Sequence, residues 1–388
     1  MHLVAANENF LIAATARPGF PILLHEDMTS CREVNKFLRE YLMRGSIGSE
    51  KSWGPISRAL YDYYSFLEAN GLSWHDVDRG EAKTLVAAYR DYCSSEASLA
   101  RNTIRQRVLY VCEFYAFAHR KGWVSNLPYE WEERSGKGGQ GLLEHVDARG
   151  RTTIVRSVMP RTHVTLLKFL TKTQVKLFIG AAENHHHRLM ARFALQSGLR
   201  REEIATFPTA YVFDASKIST RNVRVDLDPQ DGTGMKTKGS KERTIFFSRR
   251  LMKELNLYLI QRRGERASLS TEVHPQLFLN EYGKPFAQDG KGIHKEFSKI
   301  GKKIGIKVYP HLLRHTYATH TLVSLQRQSQ GKGRIEPLVF LQRQLGHSSI
   351  LTTMKYVHLI NELADDAVLA YEDELNDWLD GEYMAGLQ

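Results

Sequence analysis

Six side chains in the second half of the chain combine charge-binding and reactive chemistry: Arg200, Lys238, His311, Arg314, His347 and Tyr356. Guanidinium, ammonium and imidazole groups bind and polarise a phosphodiester, and a tyrosine hydroxyl beside them is a nucleophile able to attack it. Each residue is weak evidence alone. Arg200 in isolation reads as half of a structural pair with Glu203, a lone lysine is nearly uninformative, and the chain contains 17 tyrosines. Spacing carries more. His311 and Arg314 stand at i and i+3, so on a helix they share a face and can grip one anion while Leu312 and Leu313 turn to the core. Pro310 suits the first turn of that helix. The neighbouring His315 and His320 read as structural or solvent-facing. Nine residues separate His347 from Tyr356, which in one unbroken helix would leave them on opposite faces. Gly346 and the cap signals Ser348 and Ser349 point to a break there that lets both face one cleft.

The elements that must position these groups follow from periodicity. Gly198 ends one helix and the next starts near Glu202, which puts Arg200 at a junction. Lys238 sits in the polar run Lys236 to Arg243 between strand candidates at Val223–Leu227 and Thr244–Phe247, at a mobile hairpin tip. Thr171 can cap a helix through Val175, Leu177 and Phe178, a further helix covers about His187 to Gln196, and helices return from Leu251. In the first half, Val34, Phe37, Leu38 and Tyr41 line one helix, and Ile56, Leu60, Tyr63, Tyr64 and Leu67 line a second. A third covers about Ala82 to Ser94. The fourth carries Ile104, Val108, Val111, Cys112 and Tyr115, with Asn102 or Thr103 available as N-cap and Gly122 beyond its end. Its other faces hold Arg101, Arg105, Arg107, Arg120 and Lys121, either a solvated basic face or a helix laid along phosphates. Arg101, Arg105, Arg107, Lys241 and Arg243 are accordingly candidate DNA contacts.

Composition bounds the function. A chain of 388 residues with 42% hydrophobic and 25% charged residues is a globular protein of two domains. A net charge of +11 calls for an anionic partner. Residues 357–388 hold nine Asp/Glu and no Lys/Arg, so the remainder carries +20; the basic body meets a polyanion while the acidic tail docks on protein. Three cysteines without a CxxC pair argue against a disulfide framework or a zinc site, and fit a reducing cytosol. No apolar run is long enough to span a membrane, and Phe10 to Ala16 lacks the basic flank of a signal peptide. GxxxxGK[ST] is absent, so the glycine-rich Ser135 to Gly141 reads as linker rather than phosphate loop. The triplet His185-His186-His187 lacks the i,i+4 spacing of a metal helix and shows no carboxylate companion, so it reads as a solvated helix start. No metal and no cofactor is expected. The expected organisation is an N-terminal arm (1–27), a helical domain (28–125), a long linker (126–165) and a second domain (166–388).

The segments GLRxxE, TKGxKER, HxLRHTxAT and LGHSS, with a tyrosine nine residues after the last histidine, occur here in that order. This pattern resembles the tyrosine recombinase (phage integrase) family over about residues 165 to 360, and the helical segment 30–125 is similar to that family's core-binding domain. The resemblance implies an α+β, mainly α fold: a helical SAM-like core-binding domain and a mixed α/β catalytic domain. It implies a site-specific recombinase for integration, excision or resolution of a mobile element. Tyr356 would attack the scissile phosphate to give a 3′-phosphotyrosyl link, Arg200 and Arg314 would clamp the non-bridging oxygens, and Lys238 would protonate the leaving 5′-oxygen. His311 would assist tyrosine deprotonation and His347 would support the transition state. Neither metal nor ATP would be needed. The implied partner is double-stranded DNA in the cytoplasm, bound by a homo-tetramer that exchanges C-terminal helices. A polar insertion at Gln326 to Arg334 and the long linker depart from the family pattern. A type IB topoisomerase-like activity, or a non-catalytic DNA-binding protein on the same fold, are the alternatives; the six intact positions disfavour the second.

Overall fold

The structure, a computed structural model, describes residues 1–45, 47, 49–135, 152–161, 167–329 and 336–357, of which 135, 152 and 327–329 are described by backbone alone. The acidic tail from 358 onward, most of the glycine-rich segment and residues 330–334 of the polar insertion lie outside the described residues. The chain divides into two compact units, Met1–Thr165 and Leu166–Gln388. The fold is α+β and mainly helical.

In the first unit, strands β1 (His2–Ala5), β2 (Leu11–Ile12), β3 (Thr15–Ala16) and β4 (Pro21–Leu24) precede four helices, α1 (Arg32–Leu42), α2 (Trp53–Ala69), α3 (Leu85–Ser95) and α4 (Arg101–Arg120). The stretch expected as an arm is therefore folded: β1 pairs antiparallel with β4, and Phe20 and Leu23 are buried in the helical core. The apolar faces anticipated for α1, α2 and α4 meet in that core with Leu85, Val86, Tyr89 and Cys93 of α3, and there Tyr63 donates to Tyr115 (2.7 Å) and Tyr115 donates to the Trp74 carbonyl (2.9 Å). This chain of bonds satisfies two hydroxyls that burial would otherwise leave costly. Cys31, Cys93 and Cys112 are free and buried here. α4 starts one residue after Ala100, ahead of the expected Asn102 or Thr103, and has no side-chain cap.

The expected linker also contains structure. β5 (Trp131–Ser135) and β6 (Thr152–Arg156) form an antiparallel pair, and Tyr129, Val158 and Met159 are buried in the first unit's core. Arg105 donates to the Pro160 carbonyl (2.7 Å), and Arg156 pairs with Glu113 on α4 (2.5 Å). Side chains of α4 thus hold the segment that the loss of periodicity suggested was loose.

The second unit runs α5 (Lys172–Gly180), α6 (His185–Ser197), α7 (Arg201–Thr206), β7 (Asn222–Leu227), β8 (Arg243–Ser248), α8 (Arg249–Gln261), α9 (Arg263–Ala267), α10 (Lys291–Lys303), α11 (Pro310–Ser329), α12 (Pro337–Leu345) and α13 (Ile350–Met354). Thr171 caps α5 in a full capping box with Gln174. β7 and β8 pair antiparallel, Val225 opposite Ile245, with Val223, Val225, Leu227, Ile245 and Phe247 on the buried face. α11 lies between α6, α10 and α12. It continues through Ser329, so the first part of the polar insertion is helix rather than loop. Its inner side anchors the start of the unit: Thr316 accepts from the Leu170 amide and His320 donates to the Leu170 carbonyl, both at 2.9 Å. Gln344 on α12 does the same for β8, accepting from the Phe246 amide (2.9 Å) and donating to its carbonyl (2.8 Å). Among the described residues no helix is long and apolar enough to cross a membrane.

The turn after α6 depends on Gly198. It is left-handed (φ +65°), and a Cβ there would stand 2.3 Å from Cδ1 of Tyr317. Gly198→Ala therefore incurs both backbone strain and overpacking. We expect a loss of about 1–3 kcal/mol, read as a lower urea midpoint at unchanged slope.

Candidate active site

The site is built around a carboxylate that water does not reach. Glu203, on the first turn of α7, is 0% exposed. Arg243, at the start of β8, donates to both of its oxygens (2.7 Å each), and Arg200 donates to Oε1 at 3.1 Å. The backbone amide of Arg200 donates to Oε2 at 2.7 Å, so the carboxylate also caps the helix that carries it. Burial pushes the Glu203 carboxyl up, but the bonds from Arg243 and the charges of Arg243, Arg200 and Arg314 outweigh it and hold its pKa at about 2.

The arginines in turn bind helix ends. Arg314 on α11 is 1% exposed, and its two terminal nitrogens donate to the carbonyls of Gly198 (2.6 Å) and Leu345 (2.5 Å), at the ends of α6 and α12. Arg200 donates to the Gly346 carbonyl (2.9 Å). Gly346 closes α12 in a Schellman turn, its amide bonded to Arg343 O and that of His347 to Gln342 O, each at 3.0 Å. Its φ is +63°, and a Cβ would press on Arg243 Cδ at 2.8 Å, so only glycine serves both the turn and the contact. Burial, then the Arg200 charge, lowers the Arg314 guanidinium to about 9. Three guanidiniums share one carboxylate here, which leaves positive charge for an anion.

Tyr356 lies two residues beyond α13 and is 2% exposed, its ring seated among Tyr317, Ala318, Leu322, Leu341 and Leu345. The break at Gly346 and the Ser349 cap, which accepts from the Leu351 amide, bring His347 back over it with ring planes 6° apart and centroids at 6.3 Å. His347 is oriented by a bond from Nδ1 to the Thr353 hydroxyl (2.9 Å). Burial raises the Tyr356 phenol, and the Arg314 and Arg200 charges pull it back. Five of the six sequence candidates thus meet in one cluster of bonds, ring contacts and charges. Lys238, the sixth, is exposed on the β7–β8 connection. It contributes to a shared field: burial, then Arg314, Arg200, Arg201 and Lys238, lowers the His311 pKa.

Sequence reasoning missed one side chain that meets the tyrosine. His315, read as structural or solvent-facing, stands 2.8 Å from the Tyr356 hydroxyl through Nδ1. The signal was present, since His315 follows Arg314 by one residue and His311 by one turn, but nothing in the sequence says which turn faces the tyrosine. Burial lowers both His315 and His347 to about 3, so all three imidazoles are neutral at physiological pH.

The candidate DNA contacts separate into two groups. Arg101 and Lys241 are exposed. Arg107 pairs with Asp62 (2.7 Å), Arg105 holds Pro160, and Arg243 is committed to Glu203 inside the site. At the opposite end of α6 the histidine triplet does have a carboxylate companion, contrary to expectation. Glu265 Oε2 lies 2.9 Å from His185 Nε2 and 3.4 Å from His186 Nε2, and the three ligand atoms fall within 4.8 Å of one another. His186 is further held through Nδ1 by the Tyr258 hydroxyl (2.9 Å), and Glu265 also accepts from Arg262 (3.1 Å). These are hydrogen-bonding distances in a network that satisfies its own groups.

Residues 168–362 match the Phage integrase family. The chain is 28% identical over 206 residues to Tyrosine recombinase XerA of Saccharolobus solfataricus, covering 53% of this chain and 57% of that relative's length. It is 24% identical over 360 residues to Transposase A from transposon Tn554 of Staphylococcus aureus, covering 88% of this chain and 91% of the relative. The crystal structure of XerH site-specific recombinase bound to palindromic difH substrate, a post-cleavage complex, shares the fold with a TM-score of 0.55 and 14% identity, over 88% of this chain and 89% of that one.

Glu203 generates a stability prediction. Its folded pKa of about 2 lies below the 4.5 of a free glutamate, so its contribution is fully present above pH 4.5 and is lost as pH falls through about 2. Removing it leaves buried guanidiniums without a counter-charge. Glu203→Ala is expected to lose about 3–5 kcal/mol, and the variant's unfolding midpoint should fall less steeply than that of wild type between pH 4.5 and 2.

Proposed function

The chain belongs to the phage integrase family, and we propose that it cuts and rejoins double-stranded DNA at specific sites through a covalent tyrosyl intermediate. The observation that carries this reading is the Tyr356 hydroxyl 2.8 Å from His315 Nδ1, with His347 stacked on its ring and the Arg314 and Arg200 charges acting on its phenol. Cleavage then needs four things: a nucleophile, charge for the phosphate, a proton donor for the leaving oxygen and a proton acceptor.

Tyr356 Oη attacks the scissile phosphorus in line with the 5′-oxygen, giving a 3′-phosphotyrosyl link. Arg200 and Arg314 bind the non-bridging oxygens and stabilise the charge of the pentacoordinate transition state, with orientation already fixed by Glu203 and the helix-end carbonyls. A histidine of α11 takes the tyrosine's proton, the role the resemblance gives to His311, and His347 supports the transition state by a hydrogen bond to the same oxygens. Lys238, on its exposed connection, reaches the 5′-oxygen and donates the proton it needs. Because the phosphotyrosyl link retains the energy of the bond that broke, a second 5′-hydroxyl rejoins the strand without a nucleotide cofactor. The arginines supply the charge that metal ions supply in many nucleases. Similarity to a transposon's transposase supports a role in moving or resolving a mobile element. Assembly as a tetramer through the acidic C-terminal segment fits the charge contrast between tail and body.

Incubation with a suicide DNA nicked beside the cleavage point should trap a covalent protein–DNA adduct, in EDTA and without ATP. Tyr356→Phe should abolish the adduct while DNA binding persists. Arg314→Lys, which cannot span both carbonyls and a phosphate, should slow adduct formation by about 10²–10³-fold. An adduct that survives Tyr356→Phe removes the tyrosine from the reaction. Relaxation of supercoils without strand exchange between two sites would assign the topoisomerase chemistry instead.

A further inference from the structure

We propose that His315 is the base of strand cleavage: its Nδ1 holds the Tyr356 hydroxyl and takes the proton as Oη attacks the phosphate. This rests on the reading of Tyr356 as nucleophile and adds the residue that activates it.

Geometry separates His315 from the other two histidines. Only for His315, among the described residues, is a hydrogen bond to Tyr356 Oη present, at 2.8 Å with ring centroids 5.6 Å apart. His347 stacks on the tyrosine ring and spends its Nδ1 on Thr353. His311 precedes His315 by one turn of α11 and meets it edge-on at 4.3 Å. More of it reaches solvent than of His315, although its ring is packed well enough for burial to lower its pKa, and Arg314, Arg200, Arg201 and Lys238 act on it. His311 therefore lies on the side where the phosphate enters, and His315 on the side where the nucleophile waits.

Burial, then the neighbouring His311 and Arg314, holds His315 at about 3, so at neutral pH it is uncharged. With the proton on Nε2, the Nδ1 lone pair accepts from Tyr356. Burial meanwhile raises the phenol, so without DNA the proton stays on oxygen. A free phenolate is not exposed to adventitious electrophiles. When Oη begins to bond to phosphorus its proton becomes strongly acidic, and a neutral imidazole then suffices to take it.

The step balances. The Oη–P bond forms and the P–O5′ bond breaks. The Tyr356 proton passes to His315 Nδ1, and a proton from Lys238 passes to O5′. On rejoining, the attacking 5′-hydroxyl returns its proton to Lys238, and His315 returns its proton to Tyr356, restoring both groups.

The test measures single-turnover adduct formation on nicked suicide DNA, with folding checked by thermal unfolding and DNA affinity. His315→Gln can still hydrogen-bond the hydroxyl but cannot take its proton, and should react about 10²–10⁴-fold more slowly. His315→Gly should be slow and regain rate with added imidazole, which a purely structural histidine would not show. A substrate with sulfur in place of the bridging 5′-oxygen needs no acid for departure, so it should rescue Lys238→Ala but leave His315→Gln slow. His315→Gln within a few-fold of wild type, or rescued by the sulfur substrate, would overturn the assignment. If wild type itself forms no adduct, it is the reading of Tyr356 that fails, and that outcome is distinct.

Discussion

The second unit depends on a single buried carboxylate. Glu203 sits where Arg243 from β8, Arg200 from the α6–α7 junction and Arg314 from α11 converge, and it is the counter-charge that lets three guanidiniums share a dry site. Moving an ion from water into protein costs several kcal/mol unless it is paired and fully hydrogen-bonded. Glu203 meets that condition with two bonds from Arg243, one from the Arg200 side chain and one from the Arg200 amide. One group therefore caps α7, ties β8 to it and orients the arginines.

The remaining donors of those arginines go to carbonyls at helix ends. Arg314 bridges the ends of α6 and α12, and Arg200 takes the carbonyl of Gly346. Carbonyls at a helix C-terminus are short of partners and carry the negative end of the dipole, so a guanidinium is a favourable cap for them. The same contacts place Tyr356, because the chain leaves Gly346 in a left-handed turn and returns through α13. The guanidinium cluster and the turn that returns Tyr356 to it are thus one assembly. Glycine is required at both turns, since Tyr317 and Arg243 occupy the space of a side chain.

The imidazoles have a different part. Burial and neighbouring cations keep His311, His315 and His347 neutral, so they add no charge to the site. They supply directed lone pairs and N–H groups, and their order along α11 and after α12 spaces them from the arginines to the phenol.

Much of this was legible in the sequence. Helical spacing located the core faces of α1, α2 and α4, β-rich runs located β7 and β8, and the glycines after α6 and α12 marked the turns at the site. The order of arginines, lysine, histidines and tyrosine pointed to the phage integrase family, to which the chain belongs. The hairpin of β5 and β6 was invisible, since a two-stranded pair held by Arg105 and Arg156 has little apolar period of its own. So were the fates of individual cations: Arg243 looked like a surface contact and is an internal partner, and His185 and His186 find Glu265 from a distant helix. His315 is the clearest case. The sequence determined that a histidine would stand at each of two successive turns of α11, but the return of the chain through α13 decided which one meets Tyr356. Hydrogen bonds are made over about 3 Å, and only tertiary packing sets positions to that precision.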